Sequence, residues 1–198
     1  LPLNTSIFPP KLSFRVIDPG PVMIYFGQEV GETALGNAGF SQDNGTTTKF
    51  DYWGVTEHQK WVNDKAYDGG RLDESQRQLR QFYGDILNFA STNPAIVSGE
   101  YVDLTAENVA SGNCTELHSI FARTAGEERL IIIASFDPAT THVKVKIPDA
   151  GADKLGLVTG GDYLGRDLLR SGTDVGLNAD LEFEVDVPAF SGFILKIK

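Results

Sequence analysis

Gln28 and Glu29 follow an apolar run, Val22–Phe26, with only Gly27 between. Polar groups just past the carboxyl end of a buried strand are where barrel enzymes hold substrates and move protons. Glu32 and Asp51 are further carboxylates near a concentration of rings: Phe50, Tyr52, Trp53, Trp61 and Tyr67. The functional reading of the rings is a stacking surface for sugar rings or for another flat ligand. Each feature also has a plainer reading. Gln28 and Glu29 begin a solvated loop, the rings pack as a small core under that loop, and each carboxylate is an ordinary solvated acid.

The remaining reactive side chains form no recognisable catalytic or metal-binding pattern. His58, His118 and His142 share no metal-ligand spacing, and the two in strand-like patterns, His118 and His142, read as surface or edge residues. There is no G-x-S-x-G elbow, phosphate loop or G-x-G-x-x-G after a strand. Cys114 is the only cysteine, which excludes an internal disulfide and cysteine-rich zinc sites and reads as a packed, inert thiol. The 198 residues carry a net charge of −10, which disfavours nucleic acid and anionic membranes as partners. No apolar run approaches the roughly 20 residues of a membrane span. No cofactor is expected.

The elements that must position these residues read as follows. Residues 1–20 hold four prolines and form an irregular segment, with a short alternating strand at Lys11–Ile17. Asp18-Pro19-Gly20-Pro21 is a turn. Val22–Phe26 has no polar alternation and reads as a strand buried on both faces. Thr33–Lys49 is a long exposed loop. Thr56 with Gln59 forms a capping box for a short helix through Trp61. Asp73–Ala90 is a helix, with Asp73 and Gln76 as its start signal, an apolar stripe of Leu79, Phe82, Tyr83, Ile86, Leu87 and Ala90, and a stop at Thr92-Asn93-Pro94. From Glu100 onward the pattern becomes short strands and turns: Glu100–Leu104, Leu117–Arg123, Arg129–Phe136, His142–Ile147, Leu155–Thr159, Leu181–Val187 and Phe193–Lys198. That spacing predicts an antiparallel sandwich or barrel.

These residues, in this order, carry a resemblance. Ile24-Tyr25-Phe26-Gly27-Gln28-Glu29 resembles the eighth-strand motif of the α-amylase family of glycoside hydrolases (family 13), where a P-x-x-Y-Y/F-G-Q/D-E segment ends the barrel. Thr48–Trp53 is similar to the segment after that strand. Gln78–Leu87 and Asn93-Pro94-Ala95 resemble the eighth helix and its exit. Phe121-Ala122-Arg123, Arg129–Phe136 and Val187–Phe193 resemble strands of the family's C-terminal β-sandwich, domain C. The cover runs from about Pro21 to Lys198.

The resemblance implies a mainly β fold: an antiparallel Greek-key β-sandwich over 96–198, preceded over 21–95 by a remnant βα unit of a (β/α)8 barrel. A whole barrel needs about 250 residues. The family's nucleophilic Asp, acid/base Glu and second Asp follow its fourth, fifth and seventh strands, upstream of anything here, so no catalytic residue is carried over. A truncated gene product, a disrupted frame or a proteolysed sample would give such a chain. Gln28, Glu29, Asp51, Tyr52 and Trp53 are expected at the mouth and outer cleft. The function implied is a non-catalytic C-terminal part of an α-glucan-cleaving hydrolase. The alternatives are a stand-alone carbohydrate-binding module using Trp53 and Trp61, or a purely structural sandwich. An α-glucan or maltooligosaccharide is the implied ligand, and a secreted bacterial parent would place the chain in the periplasm or outside the cell. A barrel strand without neighbours would hide its edges by self-association or by pairing with Lys11–Ile17.

Overall fold

The computed structural model describes residues 20, 22–24, 27–32, 55–169 and 174–198. The expected strand at Lys11–Ile17, the expected loop at Thr33–Lys49, and Tyr25, Phe26, Phe50, Asp51, Tyr52 and Trp53 lie outside the described residues. The chain forms two units, divided between Asn88 and Phe89.

In the first unit a 3-10 turn, Gln28–Val30, precedes helix α1 (Thr56–Val62), and helix α2 (Glu74–Thr92) follows, with its last residues from Phe89 on in the second unit. The start signal of α2 is realised in full. Asp73 Oδ1 accepts from Gln76 N at 2.9 Å, and Gln76 Oε1 accepts from Asp73 N at 3.2 Å. Tyr83 and Ile86, from the anticipated stripe, are buried. Two expectations are corrected. Val22–Ile24 belongs to no described sheet, and Val22 (41% exposed) and Met23 (84% exposed) face water rather than a core. A strand needs a neighbouring backbone to pair with, and among the described residues none pairs with this segment. Helix α1 forms, but Thr56 is its first residue and not its cap. The cap position is Val55, which offers no side-chain oxygen.

In the second unit Asn93 both stops α2 and caps α3 (Pro94–Val97), accepting from Ala95 N at 2.9 Å with Pro94 in the first turn. A six-stranded antiparallel sheet runs in the order β1 (Glu100–Asp103), β2 (His118–Ala125), β3 (Glu128–Ser135), β8 (Gly192–Ile197), β5 (Tyr163–Asp167), β6 (Asp174–Leu177). A second sheet pairs β4 (Thr141–Lys146) with β7 (Glu182–Val187). Gly126 takes φ +61° in the two-residue β2–β3 turn, a conformation a primed hairpin turn requires. The main core includes Ile120 and Ala122 of β2, Ile131 and Ile133 of β3, Val143 and Val145 of β4, Phe183 and Val185 of β7, and Leu195 of β8. Each of the larger side chains stabilises the fold by about 1.5–3 kcal/mol. Helices α4 (Thr105–Ala110) and α5 (Asp149–Leu155) contribute Leu104 at the start of the first and Ala152 and Leu155 from the second.

The predicted strand at Leu155–Thr159 is absent. Leu155 ends α5, and Gly156 at φ +62° caps it, so Leu155 and Leu157 reach the core from a helix end and a turn. His118 is also corrected. It is buried, with Nε2 2.8 Å from Thr141 Oγ1 and Nδ1 3.0 Å from Thr115 Oγ1, so two hydroxyls satisfy a ring that would otherwise be costly to bury. Cys114 is half-buried, and burial pushes its thiol above the usual range, the reverse of an activated nucleophile.

The alternation read at His142–Ile147 and Leu181–Val187 holds, and it leaves a ladder of charges on the wet face of the small sheet. His142 Nδ1 lies 2.8 Å from Asp186 Oδ1 and Nε2 lies 3.3 Å from Glu184 Oε2. Asp186 first, and Glu184 after it, raise the imidazole above its ordinary range. A raised folded value means this contribution to stability is complete below the unfolded value near 6.5 and fades as pH climbs through the folded one. Following the ring carbon proton by NMR, we expect the midpoint of His142 to sit above about 6.5 and to fall in Asp186→Asn. A midpoint that the substitution leaves unmoved would contradict the pairing.

Candidate functional site

The residues past the apolar run are held by backbone geometry first. Gly27 has φ +81°, and a Cβ there would stand 2.8 Å from Glu32 Cβ, so the position needs glycine on both counts. Its carbonyl accepts from Val30 N at 3.1 Å and Glu32 N at 3.0 Å, folding 27–32 into a closed turn. The turn points Gln28, Val30 and Glu32 inward and leaves Glu29 half-buried.

Three side chains anchor that turn to the helices. Gln28 (2% exposed) donates Nε2 to Tyr83 Oη on α2 at 2.7 Å. Gln76, after reciprocating the cap of α2 with its oxygen, spends its nitrogen on Val30 O at 3.0 Å and on Glu57 Oε2. Glu32 (5% exposed) accepts from Glu57 N at 2.8 Å and His58 N at 3.2 Å. Glu32 therefore supplies from a distance the cap that α1 lacks locally, an interaction worth about 1 kcal/mol. Glu57 also pairs with Lys60 at 2.5 Å. The carboxylates of Glu32 and Glu57 are thus engaged in holding the turn. Among the described residues no group of three or more His, Cys, Asp or Glu is placed to hold a metal ion.

Of the expected aromatic platform, two rings are described. Arg80 stacks on Trp61 with its guanidinium carbon 3.6 Å from the ring centroid, and Gly69 packs so tightly on the same ring that a Cβ would stand 2.7 Å from it. Trp61 is therefore used in packing. Tyr67 is 62% exposed, on a turn where Asn63, Asp64, Lys65 and Tyr67 all take positive φ. Asn63 Nδ2 and Gly70 N both donate to Asp68 Oδ1 at 2.8 Å, bracing the turn and holding the Asp68 carboxyl below its usual range. Of the five expected cleft residues, Gln28 and Glu29 share the 27–32 turn, and Asp51, Tyr52 and Trp53 lie outside the described residues. Sequence reasoning missed Gln76 and Tyr83 as anchors. The available signal was a capping-box glutamine, which has a nitrogen left over once its oxygen is used.

The two units together define a mainly antiparallel β-sandwich protein carrying a helical N-terminal unit with a closed glycine turn. No protein-family model and no curated protein matches the chain. Solved structures do. A variant of AmyP in complex with maltotriose superposes with a TM-score of 0.61 at 21% identity, over 94% of this chain and 33% of that one. An Anoxybacillus α-amylase, described as a glycosyl hydrolase, gives 0.55 at 16% identity, over 94% and 31%. The native form of a Nostoc punctiforme debranching enzyme gives 0.54 at 20%, over 93% and 29%. The chain spans about a third of the length of these structures. Its fold is that of the C-terminal part of α-amylase-type glycoside hydrolases, as the resemblance in sequence implied.

Proposed function

We propose that this chain is the C-terminal portion of an α-glucan-cleaving hydrolase, that it carries none of the catalytic carboxylates, and that its sandwich supports the barrel of such a protein. The observation that carries this is the fold match over 94% of the chain to about a third of an α-amylase. Gln28, Glu29, Asp51, Tyr52 and Trp53 would border the cleft, with the anchored 27–32 turn setting the position of the first two. The engaged carboxylates of Glu32 and Glu57 support the non-catalytic reading. Val22 and Met23 would pack against neighbouring barrel strands, and in the isolated chain they would drive self-association. Incubated with starch or a chromogenic maltoside, the pure chain is expected to show no turnover above buffer, and sedimentation of the same sample to show species larger than a monomer. Turnover at an amylase-like rate would overturn the non-catalytic assignment, and a monomer at all concentrations would overturn the self-association.

The second reading, a stand-alone carbohydrate-binding module, is favoured by the exposed Tyr67 on its braced turn and disfavoured by the covered ring of Trp61.

A further inference from the structure

We propose that the cavity at the hairpin end of β3 and β8 is an oxyanion site, taking a phosphate- or carboxylate-bearing small molecule, with Arg129 as its principal ligand. The cavity has a volume of about 450 Å³ and is lined by Glu127, Glu128, Arg129, Lys196, Ile197 and Lys198. That size is in the range of small-molecule sites. Its lining holds three cationic side chains and two carboxylates, on a chain whose net charge is −10.

The charges do not cancel pairwise. Glu128 and Lys196 form a self-contained pair, with Asn93 Nδ2 donating to the other Glu128 oxygen at 2.9 Å. Of the other lining charges, Arg129 and Lys198 are cationic and Glu127, exposed on the β2–β3 turn, is the remaining carboxylate. Arg129 is half-buried, and its Nε is sealed from solvent with no acceptor. No hydrogen bond or ion pair takes its terminal nitrogens among the described residues, and Nη2 lies only 3.5 Å from where a Cβ on Gly156 would stand. Gly156 caps the carboxyl end of α5, so the guanidinium lies beside the end of that helix without a hydrogen-bond acceptor from it.

A guanidinium brought part-way out of water without acceptors is a cost that folded proteins rarely leave uncompensated. Its planar fork of N–H donors matches two oxygens of one carboxylate or phosphate, a geometry an ammonium group does not offer. Lys198, exposed at the rim, adds a second positive charge. Neutral sugars present neither the charge nor the paired oxygens, so the site is distinct in chemistry from the cleft proposed above.

The test is a titration of the full chain at constant ionic strength with inorganic phosphate, acetate and glucose 6-phosphate. Binding is read from the Arg129 Nε–H resonance and from the amides of residues 127–129 and 196–198. The expected result is a saturable shift confined to those residues, weakened about ten-fold or more in Arg129→Gln and less in Arg129→Lys. Tighter binding of glucose 6-phosphate than of phosphate would identify a sugar phosphate as the source of the anion. Equal binding would identify the free anion, and a response to acetate alone would identify a carboxylate. Should Arg129→Gln fail to fold, Lys198→Gln, at an exposed position, is expected to weaken binding by a few-fold. The absence of a saturable shift with every anion, or a shift that neither substitution changes, would overturn the site.

Discussion

Gly99→Ala is expected to remove about 3 kcal/mol or more of stability from the sandwich. A methyl group there would stand 2.3 Å from the Ala95 carbonyl oxygen and 2.5 Å from that of Thr124. Both obstacles are backbone, so no rotamer change relieves the clash. The Ala95 carbonyl is itself fixed, because Arg123 donates Nε to it at 3.0 Å and Nη2 to Ile96 O at 2.6 Å. Those are last-turn carbonyls of α3 that a four-residue helix cannot satisfy internally. Arg123 thus closes α3 onto β2, and Gly99 is the point where the chain passes between them into β1. Thermal unfolding should show a midpoint lowered by about 10 °C. A change of less than about 0.5 kcal/mol, the size of a neutral surface substitution, would mean that this passage is not tight.

Asn108→Leu is expected to cost a comparable amount for a different reason. Among the described residues the small sheet has two strands, so β4 presents an outer edge that no described strand covers. Asn108 covers part of it. Its Nδ2 donates to Leu104 O at 2.7 Å and Lys146 O at 2.9 Å, and its Oδ1 accepts from Lys146 N at 2.8 Å and Asn113 Nδ2 at 3.1 Å. Asn113 O adds a bond from Lys144 N at 3.0 Å. Leucine has a similar size but leaves the Lys146 amide and the Lys146 carbonyl without the Asn108 side chain as a partner, at about 1–3 kcal/mol per buried group. We expect a loss of about 3 kcal/mol in denaturant titration, with faster hydrogen exchange at the Lys146 amide. Unchanged exchange there would show that the edge is protected by something other than α4.

Parts of this fold are legible where local pattern and tertiary demand agree. The alternation His142–Ile147 and Leu181–Val187 gives both faces of the small sheet, and Asp73 with Gln76 gives the start of α2. The missed elements are those where they conflict. β5 and β6 carry Gly165, Gly176 and charged residues that depress strand propensity, and they exist because β8 offers β5 an edge to pair with. Gly151 disguises α5, yet its missing side chain lets the helix approach Leu104, whose Cδ2 would lie 3.1 Å from an added Cβ. The apolar run Val22–Phe26 misleads in the opposite direction, since strand propensity without a pairing partner makes no strand in Val22–Ile24. At the site, Gly27, Gln28 and Glu29 stand out in sequence. Their anchors do not, because Gln76 meets Val30 across 46 residues and Tyr83 meets Gln28 across 55.

The most direct measurement is an amide-resolved NMR titration of the isolated chain with maltotriose. A cleft edge built on the glycine turn predicts shifts gathered at residues 27–32 and 51–53, silence across the sandwich, and no hydrolysis of the ligand during the experiment. Shifts confined to the sandwich strands, or the appearance of maltose and glucose, would contradict it.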